Sequence, residues 1–235
     1  RIMYTYTGPS WAASSYPIED ENATNLAKLW NIPHVDKSAP ATNALQNLYT
    51  IKETKGPVVW LYNEPIQLIK YLGKMTEAEF LVRDDWQDIW KECNQYVLNS
   101  IARLGRPVLL FGAHSDILDC DHENIVIGHK SWQRFLAEKA GMITRKGKIN
   151  VKMDDGGSFS FRHCWGAEIL HRTMHENPNI EPSKSLIDSV WDIFFFWKQL
   201  EKQNLFSDVH PNLRGNELFA EFTRPIVEKF LEDVK

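Results

Sequence analysis

Residues 56–62 read Gly-Pro-Val-Val-Trp-Leu-Tyr, and residues 105–112 read Gly-Arg-Pro-Val-Leu-Leu-Phe-Gly. In both stretches a turn-forming Gly and Pro precede a continuous apolar run. Such a run is typical of a strand buried on both faces, and strands of this kind occur in parallel sheets that are covered by helices. The two stretches therefore predict two buried strands of an α/β fold.

Helical patterns alternate with these runs. Residues 77–104 repeat apolar side chains at three-to-four spacing, which predicts one long helix, and residues 105–107 end it. Further helices are expected over 20–31, 131–140, 184–203 and 214–231, and shorter strands over 1–6 and 32–35. The alternation predicts a three-layer α/β/α sandwich around a flavodoxin-like parallel sheet of about five strands.

The chain of 235 residues contains no repeat, low-complexity tract or linker, so residues 1–235 are expected to form a single domain. Residues 142–163 are irregular in pattern and indicate a hairpin-like insertion. The net charge of −4, with Lys and Arg scattered, gives no electrostatic reason to expect a nucleic acid partner. No apolar run approaches the roughly 20 residues that a membrane helix needs, so no membrane partner is expected.

Three widely spaced cysteines, without a Cys-x-x-Cys motif, are typical of a reduced chain. No signal peptide is visible. Together these features predict a cytoplasmic protein. The aromatic stretch 191–197 is apolar almost all round, which indicates packing in the core or against a second subunit of a homo-oligomer.

Ligands of parallel α/β folds bind at the carboxyl ends of the strands. Ser10 follows the first predicted strand, Asn63 follows the buried run at 58–62, and Asp208 and His210 precede the last helix. A histidine can take the proton of a serine hydroxyl, which is otherwise a poor nucleophile. An acid can orient the histidine, and an asparagine side chain can donate to an oxyanion.

These segments resemble the SGNH hydrolases, the superfamily that includes GDSL-type esterases and lipases. Residues 8–11, Gly-Pro-Ser-Trp, resemble its first motif block, and residues 38–43 stand where the second is expected. Residues 61–64, Leu-Tyr-Asn-Glu, resemble the third block, and residues 207–212, Ser-Asp-Val-His-Pro-Asn, resemble the last. The blocks occur in family order across nearly the whole chain.

The resemblance implies a serine esterase that needs no cofactor and no metal. Ser10 would be the nucleophile, His210 the base, and Asp208 the acid that orients it. The backbone N–H groups of Ser10 and Ala41 and the side chain of Asn63 would form the oxyanion hole.

The chain departs from the family pattern at several positions. Pro9 replaces the usual Asp, Leu61 replaces a Gly, and the second block has no Gly, so its turn must form with Ala41 or Thr42 at that position. Asp208 lies two residues before His210 rather than three. A Ser–His dyad, and a binding or assembly protein that keeps the fold without catalysis, therefore stay open as alternatives.

Trp11, His114 and Asp116 are predicted to line the substrate pocket, and the favoured substrate is a small-molecule or carbohydrate ester, with an O-acetyl group on a sugar as the leading case. Residues 114–122 also concentrate His, Asp and Cys, which offers the alternative of a metal-dependent hydrolase. A weaker metal candidate comprises Glu168, His171 and His175, which lie at helical spacing.

Overall fold

A computed structural model of the chain describes residues 3–62, 75–114, 116–141, 144–145, 148–149, 179–184, 197–207 and 210–235. Its main sheet has five strands: β1 (Tyr4–Thr7), β2 (His34–Asp36), β3 (Val58–Tyr62), β4 (Val108–Gly112) and β5 (Ile125–His129). All neighbouring strands are parallel, in the order β2-β1-β3-β4-β5. This is the flavodoxin-like strand order, and it confirms the predicted α/β fold class.

The helices that cover the sheet follow the strands in sequence. In the described residues they are α1 (Ser10–Ala13), α2 (Leu26–Trp30), α3 (Ala44–Ile51), α4 (Glu77–Leu81), α5 (Trp86–Ala102), α6 (Trp132–Lys139) and α7 (Leu213–Asp233). Residues 197–202 are also helical. Two small antiparallel ladders pair β6 (Thr144–Arg145) with β7 (Lys148–Ile149), and β8 (Phe206–Ser207) with β9 (His210–Pro211).

The sheet is buried on both faces because side chains alternate along each strand. On one face Val59 and Leu109 pack with the apolar side chains of α2, α6 and α7. On the other face Val58 and Val108 pack against α3 and the second half of α5. Every residue of β3 and β4 is buried, as their continuous apolar runs predicted.

The expected long helix at 77–104 is wrong in one respect, because the structure divides it into α4 and α5. Thr76 caps the start of α4 through a capping box with Glu79, and the helix ends at Leu81. The Arg83 guanidinium then binds the Asp85 carboxylate, at the residue that precedes α5. Aspartate competes with helical backbone bonds, so the Asp-Asp pair at 84–85 interrupts a helix that apolar spacing alone would continue.

Other boundaries also differ from the sequence prediction. The helix expected over 20–31 is confined to α2, because Asn25 caps it by accepting from the Lys28 N–H. Sequence reasoning missed α3 and β5, although Asn43 and Gln46 form a capping box and Ile125, Val126 and Ile127 are strand formers. Of the expected helix at 184–203, residues 185–196 lie outside the described residues, as does most of the 142–163 segment.

The C-terminal helix is tied to the sheet through α2. The Trp30 indole N–H donates to Thr223 Oγ1 at 3.0 Å, and both side chains are fully buried. Because α7 directly follows β9, this contact fixes the helix whose N-terminus adjoins His210. None of the helices in the described part of the chain combines the length and apolarity that crossing a bilayer requires.

Candidate active site

The structure brings the Ser10 hydroxyl and the His210 imidazole into direct contact. Ser10 Oγ lies 3.0 Å from His210 Nε2, although 200 positions separate the two residues. Both residues are half-buried, so each keeps part of its surface exposed. A hydroxyl at this distance from an imidazole nitrogen is within the range for proton transfer.

Gly8 determines where Ser10 lies. Its φ is +153°, and a Cβ placed on it would lie 2.6 Å from the Ala12 Cβ and 2.7 Å from the Leu61 carbonyl oxygen. Only glycine allows this approach of the chain to the end of β3. The Pro9 carbonyl then accepts from the N–H groups of Ala12 and Ala13, so Ser10 becomes the first residue of the one-turn helix α1.

His210 is held by a short hairpin and the helix that follows it. Ser207 pairs with His210 in the β8–β9 ladder. Asn212 closes the hairpin through its N–H to the Leu205 carbonyl at 3.1 Å, and its side chain caps α7 by accepting from the Gly215 N–H at 3.0 Å. A Cβ on Gly215 would collide with the Leu205 carbonyl. The glycine therefore allows α7 to begin directly against the hairpin.

The second-block segment lies beside the serine turn. The Gly8 carbonyl accepts from the Ala39 N–H at 3.2 Å and from the Thr42 hydroxyl at 3.3 Å. Ala41 has φ of +57°, the left-handed conformation that glycine adopts without strain. The turn thus forms without a glycine, next to the carbonyl that precedes Pro9 and Ser10.

Two of the predicted site residues, Asn63 and Asp208, lie outside the described residues. For Asn63, the structure describes the residues just before it: Leu61 touches the Gly8 position, and the Tyr62 carbonyl accepts from the Ala113 N–H. The roles of Asn63 and Asp208 therefore stay predictions.

Trp11 is packed in the core and Asp116 is ion-paired, so neither side chain faces an open pocket. Trp11 is 1% exposed, and its ring packs edge-on against Phe206 and Trp132. The Asp116 carboxylate forms a two-point ion pair with the Arg134 guanidinium, with Nε to Oδ1 at 2.9 Å. This pair joins the loop after β4 to α6. A buried indole offers no face to a sugar, and the Asp116 carboxylate is already paired.

His114 lies beneath the site. Its ring centroid is 4.0 Å from that of Trp11, and its Nδ1 is buried without a hydrogen-bond partner among the described residues. The residue keeps some exposed surface, but it is the burial of the ring that disfavours the charged form. Burial, together with the charge of His210, lowers the pKa of His114 to about 3. His114 is therefore neutral at physiological pH.

The sequence interpretation missed Tyr16. Its ring stacks on the His210 imidazole, with centroids 3.7 Å apart and planes at 12°. Tyr16 also borders a pocket of about 410 Å³, whose other polar lining residues include Asp20, Asn204, Ser207, Arg214 and Glu217. No pattern in the sequence marks a lone tyrosine in a loop, so this residue could be found only from the structure.

The loop at 114–122 does not assemble a metal site in the part that the structure describes. No group of three or more His, Cys, Asp or Glu side chains comes together among the described residues. Asp119 instead pairs with Lys130 at 3.1 Å, and His122 Nε2 lies 2.9 Å from Asn99 Oδ1. Glu168, His171 and His175 lie outside the described residues.

No protein-family model matches the sequence, and no curated protein matches it. A similar solved structure is the protein YxiM of Bacillus subtilis, which is 12% identical, with a TM-score of 0.42. The alignment covers 97% of this chain and 57% of that one, so this chain spans little more than half of that structure's length.

The left-handed Ala41 yields a stability prediction. An L-residue in this conformation costs about 1–2 kcal/mol, whereas glycine costs about 0.5–1 kcal/mol in lost chain entropy. We expect Ala41→Gly to raise the free energy of unfolding by about 0.5–1 kcal/mol, measured by urea denaturation. The matched control is Ala39→Gly, two residues away and without a positive φ, which should be slightly destabilising. Equal destabilisation by both variants would show that the backbone of Ala41 is not strained.

The depressed pKa of His114 yields a pH prediction. The folded protein resists protonating His114 until about pH 3, whereas the unfolded chain takes up this proton near pH 6.5. The stabilisation is therefore complete above about pH 6.5 and is lost as the pH falls towards 3. We expect His114→Phe to flatten the fall in unfolding free energy between pH 7 and 4.

Chemical denaturation at several pH values measures this effect. His122→Phe is the control, since that ring is bonded near the surface to Asn99. The same flattening in both variants would show that His114 has no special part in the acid sensitivity.

Proposed function

We propose that this chain is a serine esterase in which Ser10 attacks the ester carbonyl and His210 takes the serine proton. The observation that carries the proposal is the 3.0 Å contact between Ser10 Oγ and His210 Nε2. A serine alone is a weak nucleophile, and an imidazole within proton-transfer reach is the usual means of activating it.

In the first half of the reaction a bond forms between Ser10 Oγ and the carbonyl carbon while the proton passes to Nε2. The tetrahedral intermediate then collapses, and His210 returns the proton to the alcohol oxygen as the C–O bond breaks. In the second half, water gives its proton to His210 and attacks the acyl carbon, and Ser10 recovers its hydroxyl. Ester and water thus become acid and alcohol, and this sequence calls on no cofactor.

The oxyanion requires preorganised donors beside Ser10. The N–H of Ser10 has no partner within α1, because the first N–H groups of a helix never do. In the proposal the second donor is the N–H of Ala41, in the turn that is bonded to the Gly8 carbonyl, and the third is the Asn63 side chain. Each such donor typically contributes about 3 kcal/mol to lowering the barrier.

The pocket beside Tyr16 favours a polar alcohol as the leaving group. His210 must protonate the departing alcohol, so the alcohol half of the ester lies on the side of the base. The pocket of about 410 Å³ is bordered by Tyr16 and Ser207, which contact His210, rather than by His210 itself, and it offers a guanidinium, two carboxylates and amide groups, a set that suits hydroxyl groups. Its volume is within the range of small-molecule sites. We therefore propose an O-acetylated carbohydrate as the substrate.

The nucleophile is tested with a fluorophosphonate probe, which reacts with an activated serine. We expect a single adduct on Ser10, identified by mass spectrometry, and a loss of at least about 10³-fold in kcat for Ser10→Ala with an acetyl ester. Ser14→Ala, four residues along and half-buried like Ser10, is the matched control.

An adduct on another residue, or full activity of Ser10→Ala, would overturn the proposal. A folded wild-type protein that neither reacts with the probe nor hydrolyses esters would instead favour a binding protein built on this fold.

The substrate class is tested through Arg214, which is exposed and borders the pocket. One charged hydrogen bond to a sugar hydroxyl contributes about 1.5 kcal/mol, or roughly a tenfold effect. We expect Arg214→Met to lower the ratio of kcat/KM for an O-acetylated sugar to that for p-nitrophenyl acetate by about tenfold.

Arg224→Met is the control on the same helix, because Arg224 pairs with Glu228 at the surface. An unchanged ratio in Arg214→Met would exclude this pocket as the sugar site.

A further inference from the structure

We propose that Tyr16 is a positioning residue for the base: its ring, stacked on the imidazole of His210, holds that imidazole in the orientation that faces Ser10. This inference rests on the proposed esterase function and adds to it a residue that the resemblance to the SGNH hydrolases does not supply.

The first support is the geometry of the ring contact. The two ring centroids are 3.7 Å apart and the planes are within 12° of parallel. At this separation the imidazole cannot rotate about its Cβ–Cγ bond without colliding with the tyrosine ring. Trp11, another aromatic residue near His210, has its ring centroid 6.4 Å away and is tilted by 56°, so it constrains the imidazole less than Tyr16 does.

The second support is the attachment of Tyr16 to the segment that carries His210. The Tyr16 N–H donates to the Pro211 carbonyl at 3.1 Å, and Tyr16 forms a parallel bridge with Asn212. The preceding residue is also held, because the Ser15 N–H donates to the Thr24 carbonyl at 2.6 Å. The stacked rings therefore belong to backbones that are bonded to each other and keep their separation.

The third support is the continuity of the chain between nucleophile and ring. Ser10 begins α1, and the backbone becomes extended at Ser14 before it reaches Tyr16. The seven-residue segment 10–16 thus has the attacking hydroxyl of Ser10 at one end. At its other end is the Tyr16 ring, which restrains His210. A shift of His210 relative to Tyr16 would have to break either the stack or the Tyr16–Pro211 hydrogen bond.

The chemistry also benefits from an aromatic face at this place. His210 becomes positively charged each time it accepts a proton, and an aromatic ring stabilises a cation that lies over its face. The position three residues before His210, where the family has its acid, is occupied by Ser207, which pairs with His210 in the β-ladder. Stacking by Tyr16 is a means of orienting the imidazole that does not depend on an acid at that position.

The test compares Tyr16→Leu, which removes the ring, with Tyr16→Phe, which keeps it. A displacement of about 1 Å at a catalytic group can cost on the order of 10²-fold. We expect kcat to fall about 10- to 100-fold in Tyr16→Leu, with a smaller change in KM, because Tyr16 also borders the pocket. Tyr16→Phe keeps the stacked ring, so its kcat should stay well above that of Tyr16→Leu. Tyr96→Leu, the same change at a residue 47% exposed on α5, is the control.

Two leaving groups separate positioning from a general weakening of the fold. An alkyl acetate needs a proton from His210 as its alcohol departs, whereas p-nitrophenolate leaves without one. We therefore expect Tyr16→Leu to lose more activity on the alkyl ester than on p-nitrophenyl acetate. An equal loss on both esters, accompanied by a lower unfolding temperature, would overturn the positioning role. Tyr16→Met, which keeps more side-chain volume, replaces the Leu variant if that variant does not fold.

A spectroscopic measurement distinguishes failure of this inference from failure of the esterase proposal. The His210 ring protons, observed by NMR, should be shifted upfield by the Tyr16 ring current in wild type and Tyr16→Phe, and should lose that shift in Tyr16→Leu. If wild type reacts with the fluorophosphonate and Tyr16→Leu reacts at the same rate, the positioning role is overturned and the esterase stands. If wild type does not react at all, the esterase proposal falls, and the positioning role falls with it.

Discussion

The close approach of Gly8 to the end of β3 is the constraint on which the candidate site depends. The chain leaves β1 with no side chain at Gly8, because the Leu61 carbonyl and the Ala12 side chain occupy the space that a Cβ would need. This lets the chain turn at once into α1 and places Ser10 above the sheet. Tight packing therefore determines the position of the hydroxyl, and any larger residue at position 8 would move it.

Other segments of the chain pack against that turn or are hydrogen-bonded to it. The second-block segment is bonded to the Gly8 carbonyl, and Trp11 fills the core directly beneath α1. His210 arrives from the other end of the chain on a hairpin that Asn212 closes and α7 supports. Because Trp30 and Thr223 tie α7 to α2, the core itself maintains the contact between Ser10 and His210.

The surroundings of the two histidines differ in a way that suits different tasks. His114 is packed against Trp11 with a buried Nδ1, and its lowered pKa keeps it neutral. His210 keeps access to solvent, contacts the Ser10 hydroxyl and lies under the Tyr16 ring. In the proposed reaction His210 gains and releases a proton, and burial like that of His114 would oppose its charged form.

The α/β class, the two fully buried strands and the pairing of Ser10 with His210 could be predicted from the amino-acid sequence alone. Continuous apolar runs and helical spacing are local patterns, so they can be recognised without coordinates. The break between α4 and α5, the left-handed turn at Ala41, the burial of Trp11 and the ion pair of Asp116 with Arg134 became visible only in the tertiary structure. The stacking of Tyr16 on His210 belongs to the same group, because it joins residues 194 positions apart through packing that no local spacing encodes.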